Sequence, residues 1–379
     1  MAVIPKVEAE AGFGKVADAF ADNFQRHREV GAAFCLYQDG RVVAEGWGGM
    51  ADPDAGRGWE RDTLALVFSA TKGAVTVAVH QLAERGQLDL DAPVARYWPQ
   101  FGARGKQHIP LRWVLSHRAG LAAVDAELTL AQVLAWDPVV EAVAAQAPNW
   151  EPGTAAGYHA RTFGWILGEV VRRVTGTTIG GLVAREIAAP LGLDLWIGLP
   201  ESEEPRTARL LPDPEFSFDG LPADSLLVRV LTGPSGLFDY GDMWNRRDLH
   251  AAAIPSSNGI TDARSLARMY AATIGQVEGT RLLRPETVAR AAALETDDVD
   301  LVLGVPVPRG LGFMLGSALG AGVGPHTFGH PGAGGTVAWA DPDSGIAFTY
   351  VTNQLRLLPE PEGDPRVTGL TRAVYAATT

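Results

Sequence analysis

A serine three residues before a lysine is a pairing that can carry acyl chemistry. Ser69-Ala70-Thr71-Lys72 lies between a short apolar run, Leu64 to Phe68, and an Ala/Val-rich segment that reaches Arg85 and stops at Gly86. That pattern predicts a helix starting at or just before Ser69, and a spacing of three puts both side chains on one face. A serine hydroxyl is a weak nucleophile until a base takes its proton. A lysine can be that base when burial lowers its pKa from about 10.4 towards neutrality. The start of a helix also leaves backbone N–H groups free to bind an oxyanion. The pair alone is weak, because a helix cap beside a solvated lysine has the same spelling. The charge usage sharpens it. The chain holds 28 arginines and 4 lysines (Lys6, Lys15, Lys72 and Lys106). Arginine cannot deprotonate and lysine can, so a lysine kept inside an apolar helix points to proton transfer.

Composition narrows the functions available. The 379 residues suffice for a large core and two lobes. The formal net charge of −12 and the lack of any Lys/Arg run argue against a nucleic-acid partner. The single cysteine, Cys35, excludes an internal disulfide and cysteine-based zinc sites. Its flank, Ala32-Ala33-Phe34-Cys35-Leu36, reads as a buried strand and hence a structural thiol. No His/Cys/Asp group has metal-ligand spacing, so neither a metal nor another cofactor is expected. No basic-then-apolar leader and no span-length apolar segment is visible, so the expected location is cytoplasmic, with no membrane partner. Oligomeric state is not legible.

The elements that must position the pair follow from patterning. Val7 to Arg28 has helical periodicity. Gly31 to Tyr37 and Arg41 to Trp47 flank Asp39-Gly40 as a hairpin, and Gly48 to Asp62 reads as loop. Short helices follow at Ala92 to Trp98 and before Ser116-His117, and Leu128 to Gln146 reads as one Ala-rich helix. His117 has no acidic neighbour and reads as a structural, hydrogen-bonded histidine. Asn149 to Thr154 is a turn-dense connector that delivers Tyr158-His159-Ala160 to a helix over Thr162 to Thr175. A further helix runs from Ile179 to Ala188, and residues 200–225 read as surface loop. Thr261 to Ile274 is helical, with Thr261 as cap. Strands are expected at Leu311 to Leu315, Thr327 to Gly329, Thr336 to Ala340 and Ile346 to Thr352, and a helix at Gly369 to Ala377. Strands at both ends and helices between predict an α/β (α+β) fold: an antiparallel sheet flanked by terminal helices, with an inserted helical region. The expected division is a discontinuous sheet domain of residues 1–78 and 255–379 and a mainly helical domain of residues 79–254, with the site between them.

Three motifs stand in order along this frame: Ser69-Ala70-Thr71-Lys72, then Tyr158 behind Pro152-Gly153-Thr154, then Gly329-His330-Pro331-Gly332-Ala333-Gly334-Gly335. Together with Leu115-Ser116-His117, Gly120-Leu121 and Pro190-Leu191-Gly192, they resemble the serine β-lactamase and penicillin-recognising enzyme superfamily. The likeness is greatest to the class C-related branch and the family VIII carboxylesterases. The resemblance implies that Ser69 is acylated, that Lys72 accepts or relays its proton, and that Tyr158 acts with Lys72 as base and then protonates the leaving group. A tyrosine beside a cationic lysine would have a lowered pKa. The N–H groups of Ser69 and Ala333 would form the oxyanion hole, with Gly332 and Gly334 leaving room for substrate.

Two departures bear on substrate. The second motif reads Tyr158-His159-Ala160, without the usual asparagine, so either His159 takes part of that polar role or the position is filled by shape alone. The third begins with His330 where the superfamily has lysine. A fixed cation there binds the carboxylate of a penicillin or a terminal D-alanine, and a histidine is mostly neutral at pH 7. Asn258, Trp150, Tyr240 and Trp244 are candidate lining residues. The expected activity is therefore hydrolysis of small, neutral, short-chain carboxylic esters. The alternatives are a β-lactamase or D-alanyl peptidase, an acyltransferase using the same acyl-enzyme, and a non-catalytic binding protein. The lack of Gly-x-Ser-x-Gly excludes an α/β-hydrolase.

Overall fold

The computed structural model describes residues 4–357 and 363–378. Its main sheet is antiparallel and joins the two ends of the chain. The strands are β1 (Lys6–Ala9), β2 (Gly31–Gln38), β3 (Arg41–Asp52), β4 (Arg57–Gly58), β5 (Ala65–Leu66), β6 (Leu195–Ile197), β7 (Gly259–Thr261), β8 (Met314–Leu315), β9 (Phe328–Pro331), β10 (Val337–Asp341) and β11 (Ile346–Thr352). Their order in the main sheet is β1-β3-β2-β11-β10-β9-β8, with β4 beside β3, and β5-β7-β6 form a second small sheet. The seam between β2 and β11 runs in unbroken register from Gln38↔Ile346 to Ala32↔Thr352.

Successive side chains point to opposite faces and both faces are covered, which is why the two central strands are apolar at nearly every position. Phe34, Leu36, Phe348 and Tyr350 face one side, where Phe20 of α1 (Gly14–Arg26) meets them; Ala33, Cys35, Ala347 and Val351 join the core on the other. The helix Ala263–Ile274 covers that second side, and the C-terminal helix Pro365–Thr378 lies beside α1. Cys35 is fully buried, and burial raises its thiol pKa well above the usual value.

The sequence expectations fail in identifiable places. Val7 does not open a helix: it pairs with Gly46 as part of edge strand β1, and α1 starts only at Gly14. The run from Leu128 to Gln146 is two helices, Leu130–Leu134 and Asp137–Ala145, broken at Trp136, whose φ is +70°. The cap of the Ala263–Ile274 helix is Asp262, not Thr261; its carboxylate accepts from the Ser265 N–H. The start of the expected loop, Gly48 to Asp52, belongs to β3, and Arg57–Gly58 pairs with it as β4; turn and loop residues make up the rest to Asp62. Among the described residues no helix is long and apolar enough to cross a membrane.

Candidate active site

The Ser69 turn is strained and held from three sides. Phe68, immediately before it, has φ +43°, a conformation that costs a bulky residue and is kept only when neighbours enforce it. Its ring packs edge-on against Trp244, 5.1 Å between centroids. The Thr71 hydroxyl donates to the Phe68 carbonyl and accepts from the Gly259 N–H at 2.8 Å, and the Val67 N–H donates to the Gly259 carbonyl at 2.9 Å. The helix that follows, α2 (Thr71–Glu84), therefore starts two residues later than the spacing predicts. Ser69 projects from a tight turn, with the Lys72 N–H donating to the Ser69 carbonyl at 3.0 Å. Residues Thr71 to Leu82 are all buried, so α2 is a core helix rather than an amphipathic one.

Lys72 is fully buried and its amine touches four oxygens. Nζ lies 3.2 Å from Ser69 Oγ, 3.0 Å from Tyr158 Oη, 2.9 Å from the Ala160 carbonyl and 3.0 Å from the Ser256 carbonyl. The Tyr158 hydroxyl in turn lies 2.7 Å from Ser69 Oγ, which closes a triangle of hydroxyl, amine and phenol. Burial, with the guanidinium groups of Arg161 and Arg309, holds the Lys72 pKa well below its usual value. A neutral amine satisfies this geometry: two N–H groups go to the two carbonyls, and the lone pair is left for a hydroxyl proton. Tyr158 moves oppositely to the expectation of a lowered pKa. Burial raises it, so the side chain is a phenol and not a phenolate.

Tyr158 is fixed through its backbone and ring. Its N–H donates to Asp300 Oδ1 at 3.1 Å, and Asp300 pairs with Arg309 in a fully buried ion pair. The His117 ring lies 5.1 Å from the Tyr158 ring, and His117 Nδ1 accepts from the His159 N–H at 3.0 Å, a structural histidine with φ +60°.

The third motif ends β9 and turns back into β10. Gly332 is where the turn comes closest to the serine: a Cβ there would sit 2.2 Å from the Val67 carbonyl oxygen. Gly334 is packed against Leu355, so both glycines make room for protein rather than for substrate. The Gly334 carbonyl accepts from Arg366 Nη2 at 2.7 Å, and Arg366 is itself paired with Glu29 and Asp364. Among the described residues, the N–H groups of Ser69 and Ala333 have no acceptor in the protein. A cavity of about 280 Å³ opens here, bordered by Ser69, Tyr158, His330, Gly332 and Ala333 on one side. Phe216, Leu231, Tyr240, Leu303 and Met314 make its apolar wall, and among the described residues no Lys or Arg borders it.

Several expected lining residues are elsewhere. His159 is fully buried: Nε2 accepts from the Leu121 N–H at 3.0 Å, so Nδ1 carries the proton and donates to the Gly157 carbonyl at 2.6 Å. Burial lowers its pKa to about 4, and it does not replace the missing asparagine. Asn258 faces its own loop, accepting from the Ile254 N–H at 2.9 Å and donating to the Leu249 and Ala252 carbonyls. Trp150 donates to the Ala155 carbonyl and stacks edge-on to His159, and Trp244 is buried beneath Phe68. Neither borders the cavity. Tyr240 does. Replacing Asn258 with alanine strips two buried backbone groups and a half-buried third of their partners beside the Ser69 turn. The expected cost is about 3 kcal/mol or more, read as a lowered denaturant midpoint; an unchanged midpoint would show that water replaces the amide.

Sequence reasoning missed the buried arginines. Arg161 donates to the Val230 and Leu231 carbonyls at 3.1 and 2.9 Å and covers the Phe238 ring at 4.1 Å, which fixes the wall carrying Leu231. In a chain with 28 arginines, nothing in the sequence marks Arg161, Arg309 or Arg366 as buried.

A small mixed fold with a serine, lysine and tyrosine meeting at the end of a buried helix is the frame of the serine β-lactamase-like enzymes. Residues 16–373 match the Beta-lactamase family, and the chain belongs to it. It is 37% identical over 361 residues to the esterase/beta-lactamase LipL of Mycobacterium tuberculosis, covering 92% of this chain and 82% of the relative. A family VIII carboxylesterase structure superposes with a TM-score of 0.90 at 37% identity, covering 98% of this chain and 100% of the other. A penicillin-binding protein homologue from Caulobacter crescentus gives 0.86 at 34% identity, covering 98% and 100%.

Proposed function

We propose that the protein is a serine carboxylesterase that cleaves small neutral esters through an acyl-Ser69 intermediate. Lys72 takes the Ser69 proton onto its lone pair as Oγ attacks the ester carbonyl. The unpaired N–H groups of Ser69 and Ala333 receive the negative charge that develops on the carbonyl oxygen. Tyr158, still a phenol that donates to Ser69 Oγ and lies 3.0 Å from Lys72 Nζ, passes a proton to the departing alkoxide and is reprotonated from Lys72 once that amine has taken up the Ser69 proton. Water then enters along the same line and the steps reverse. The single observation that carries this reading is the closed triangle of Ser69, Lys72 and Tyr158, with the amine held deprotonatable.

Esters are favoured over carboxylate-bearing β-lactams by the cavity wall. Among the described residues it has no fixed cation, and burial holds His330 well below its usual pKa, so that side chain is neutral. His330 Nδ1 donates to the Pro331 carbonyl at 2.7 Å, which leaves Nε2 as an acceptor and not a cation. The family VIII carboxylesterase named above supports the same side of the choice, whereas LipL is named for both activities. The test compares hydrolysis of p-nitrophenyl acetate and butyrate with that of a chromogenic cephalosporin. Faster cephalosporin turnover would reject the ester reading.

Tyr158→Phe removes only the transferable proton. Its expected effect is a fall in kcat of about 10²- to 10³-fold with KM little changed. A variant that keeps full kcat would take Tyr158 out of the proton path.

A further inference from the structure

Exposed apolar side chains cluster in the two chain segments that send Leu303 and Phe216 to the cavity. Four of the six large apolar side chains exposed among the described residues lie between positions 294 and 305, and a fifth is Leu221. Val299, Leu301 and Val305 are 57%, 49% and 53% exposed, each far more than a structural role requires. They sit on a short hairpin. Val299 pairs with Pro306, the Asp300 N–H donates to the Val305 carbonyl at 2.9 Å, and the Gly304 N–H to the Asp300 carbonyl at 2.8 Å. The buried Asp300 carboxylate stiffens the tip by accepting from the Val302 and Leu303 N–H groups, and it also holds the Tyr158 N–H. Leu303, between the exposed residues, borders the cavity. The second lip has the same character: Phe216 borders the cavity, packs edge-on against Phe218, and leads to Leu221.

We infer that these two lips form an adsorption surface for emulsified, uncharged esters such as triacylglycerols, which places the active-site mouth against the lipid droplet. The inference rests on the ester-hydrolase reading of the same cavity. Val299, Leu301 and Val305 are each about half exposed within seven residues of one hairpin, so an extended apolar surface laid against the tip can dehydrate more of this area than a single acyl chain can. Charge selects the lipid. The lips carry exposed Asp297, Asp298, Glu215, Asp219 and Asp224 and no Lys or Arg over residues 211–226 or 294–308, which repels anionic headgroups. A second copy of the chain fits poorly, because Leu303 on the same hairpin would bring it over the cavity mouth.

The test measures tributyrin hydrolysis across its solubility limit. The expected result is a several-fold rise in rate once droplets form. That rise is expected to vanish in Leu301→Ser/Val305→Ser, with p-nitrophenyl butyrate turnover unchanged. In a parallel arm, Ser69→Ala protein is expected to float with triolein droplets and not with phosphatidylglycerol vesicles. A rate that saturates smoothly below the limit, flotation with the vesicles, or a wild-type dimer that the double variant converts to monomer each overturns the inference. Failure of the ester reading is distinguishable, since it removes p-nitrophenyl butyrate turnover while leaving droplet flotation intact.

Discussion

Ser69→Ala is expected to abolish ester turnover, by about 10⁴-fold or more, while leaving the fold in place. The hydroxyl contributes nothing to the packing that holds its turn. That turn is set by Phe68, Thr71 and Gly259, through the Thr71 bridge and the Val67–Gly259 hydrogen bond. Removing one oxygen therefore leaves Lys72 with Tyr158 and its two carbonyl partners and takes away only the atom that forms the acyl bond. A fluorophosphonate probe is the direct check. It should add one adduct to the wild type, on the peptide containing Ser69, and none to the variant. Residual turnover within tenfold of wild type, or labelling elsewhere, would falsify the assignment of the nucleophile.

Lys72→Met is expected to lower kcat/KM by about 10³-fold or more, and Lys72→Arg to do no better. Arginine keeps the charge but offers no lone pair, and its fork does not fit a pocket shaped around one nitrogen. The buried amine also predicts a pH signature. Its folded pKa is depressed, so wild-type kcat/KM should rise with pH through that value as the amine loses its proton. Stability carries the same sign. Between the lowered folded pKa and the ordinary value of about 10.4, the unfolded chain holds a proton that the folded chain lacks. Folding stability from this group therefore increases as pH rises across that window and is lost as pH falls through the folded pKa. Denaturant midpoints measured across the window should climb more steeply for the wild type than for Lys72→Met. Parallel slopes would mean that Lys72 enters the fold charged.

The sequence carried the broad architecture because its central strands leave little choice. β2 and β11 are apolar at nearly every position, which only a sheet covered on both faces accommodates, and Asp39-Gly40 specifies the turn between β2 and β3. The edges were less legible. Val7, Val16 and Phe20 fit a helical period whether or not Val7 belongs to the helix, and pairing with β3 decides against it. The break at Trp136 did have a local signal, Pro138, which sits in the first turn of the next helix, where proline is tolerated, and the Trp136 indole N–H reaches Glu169 at 3.0 Å on a later helix. In the site, order along the chain located the neighbourhoods but not the directions of side chains. Tyr158 and His159 are adjacent and point opposite ways, one to Ser69 and one to the Leu121 and Gly157 backbone. Asn258 lies one residue from the clamp on the serine turn yet spends its amide on its own loop. The pKa of Tyr158 was misjudged for a related reason. The expectation supposed a charged lysine, and the burial of both groups favours two neutral ones.

The scarcity of lysine gives the molecule a handle. Lys72 and Lys106 are sealed inside, whereas Lys6 and Lys15 stand open to solvent on β1 and α1. β1 is the far edge of the main sheet, five strand spacings from β9 and its His330, or about 24 Å. An amine-reactive support would therefore grip the protein almost entirely by its N-terminal edge. Beads loaded this way would present the cleft outward in a common orientation.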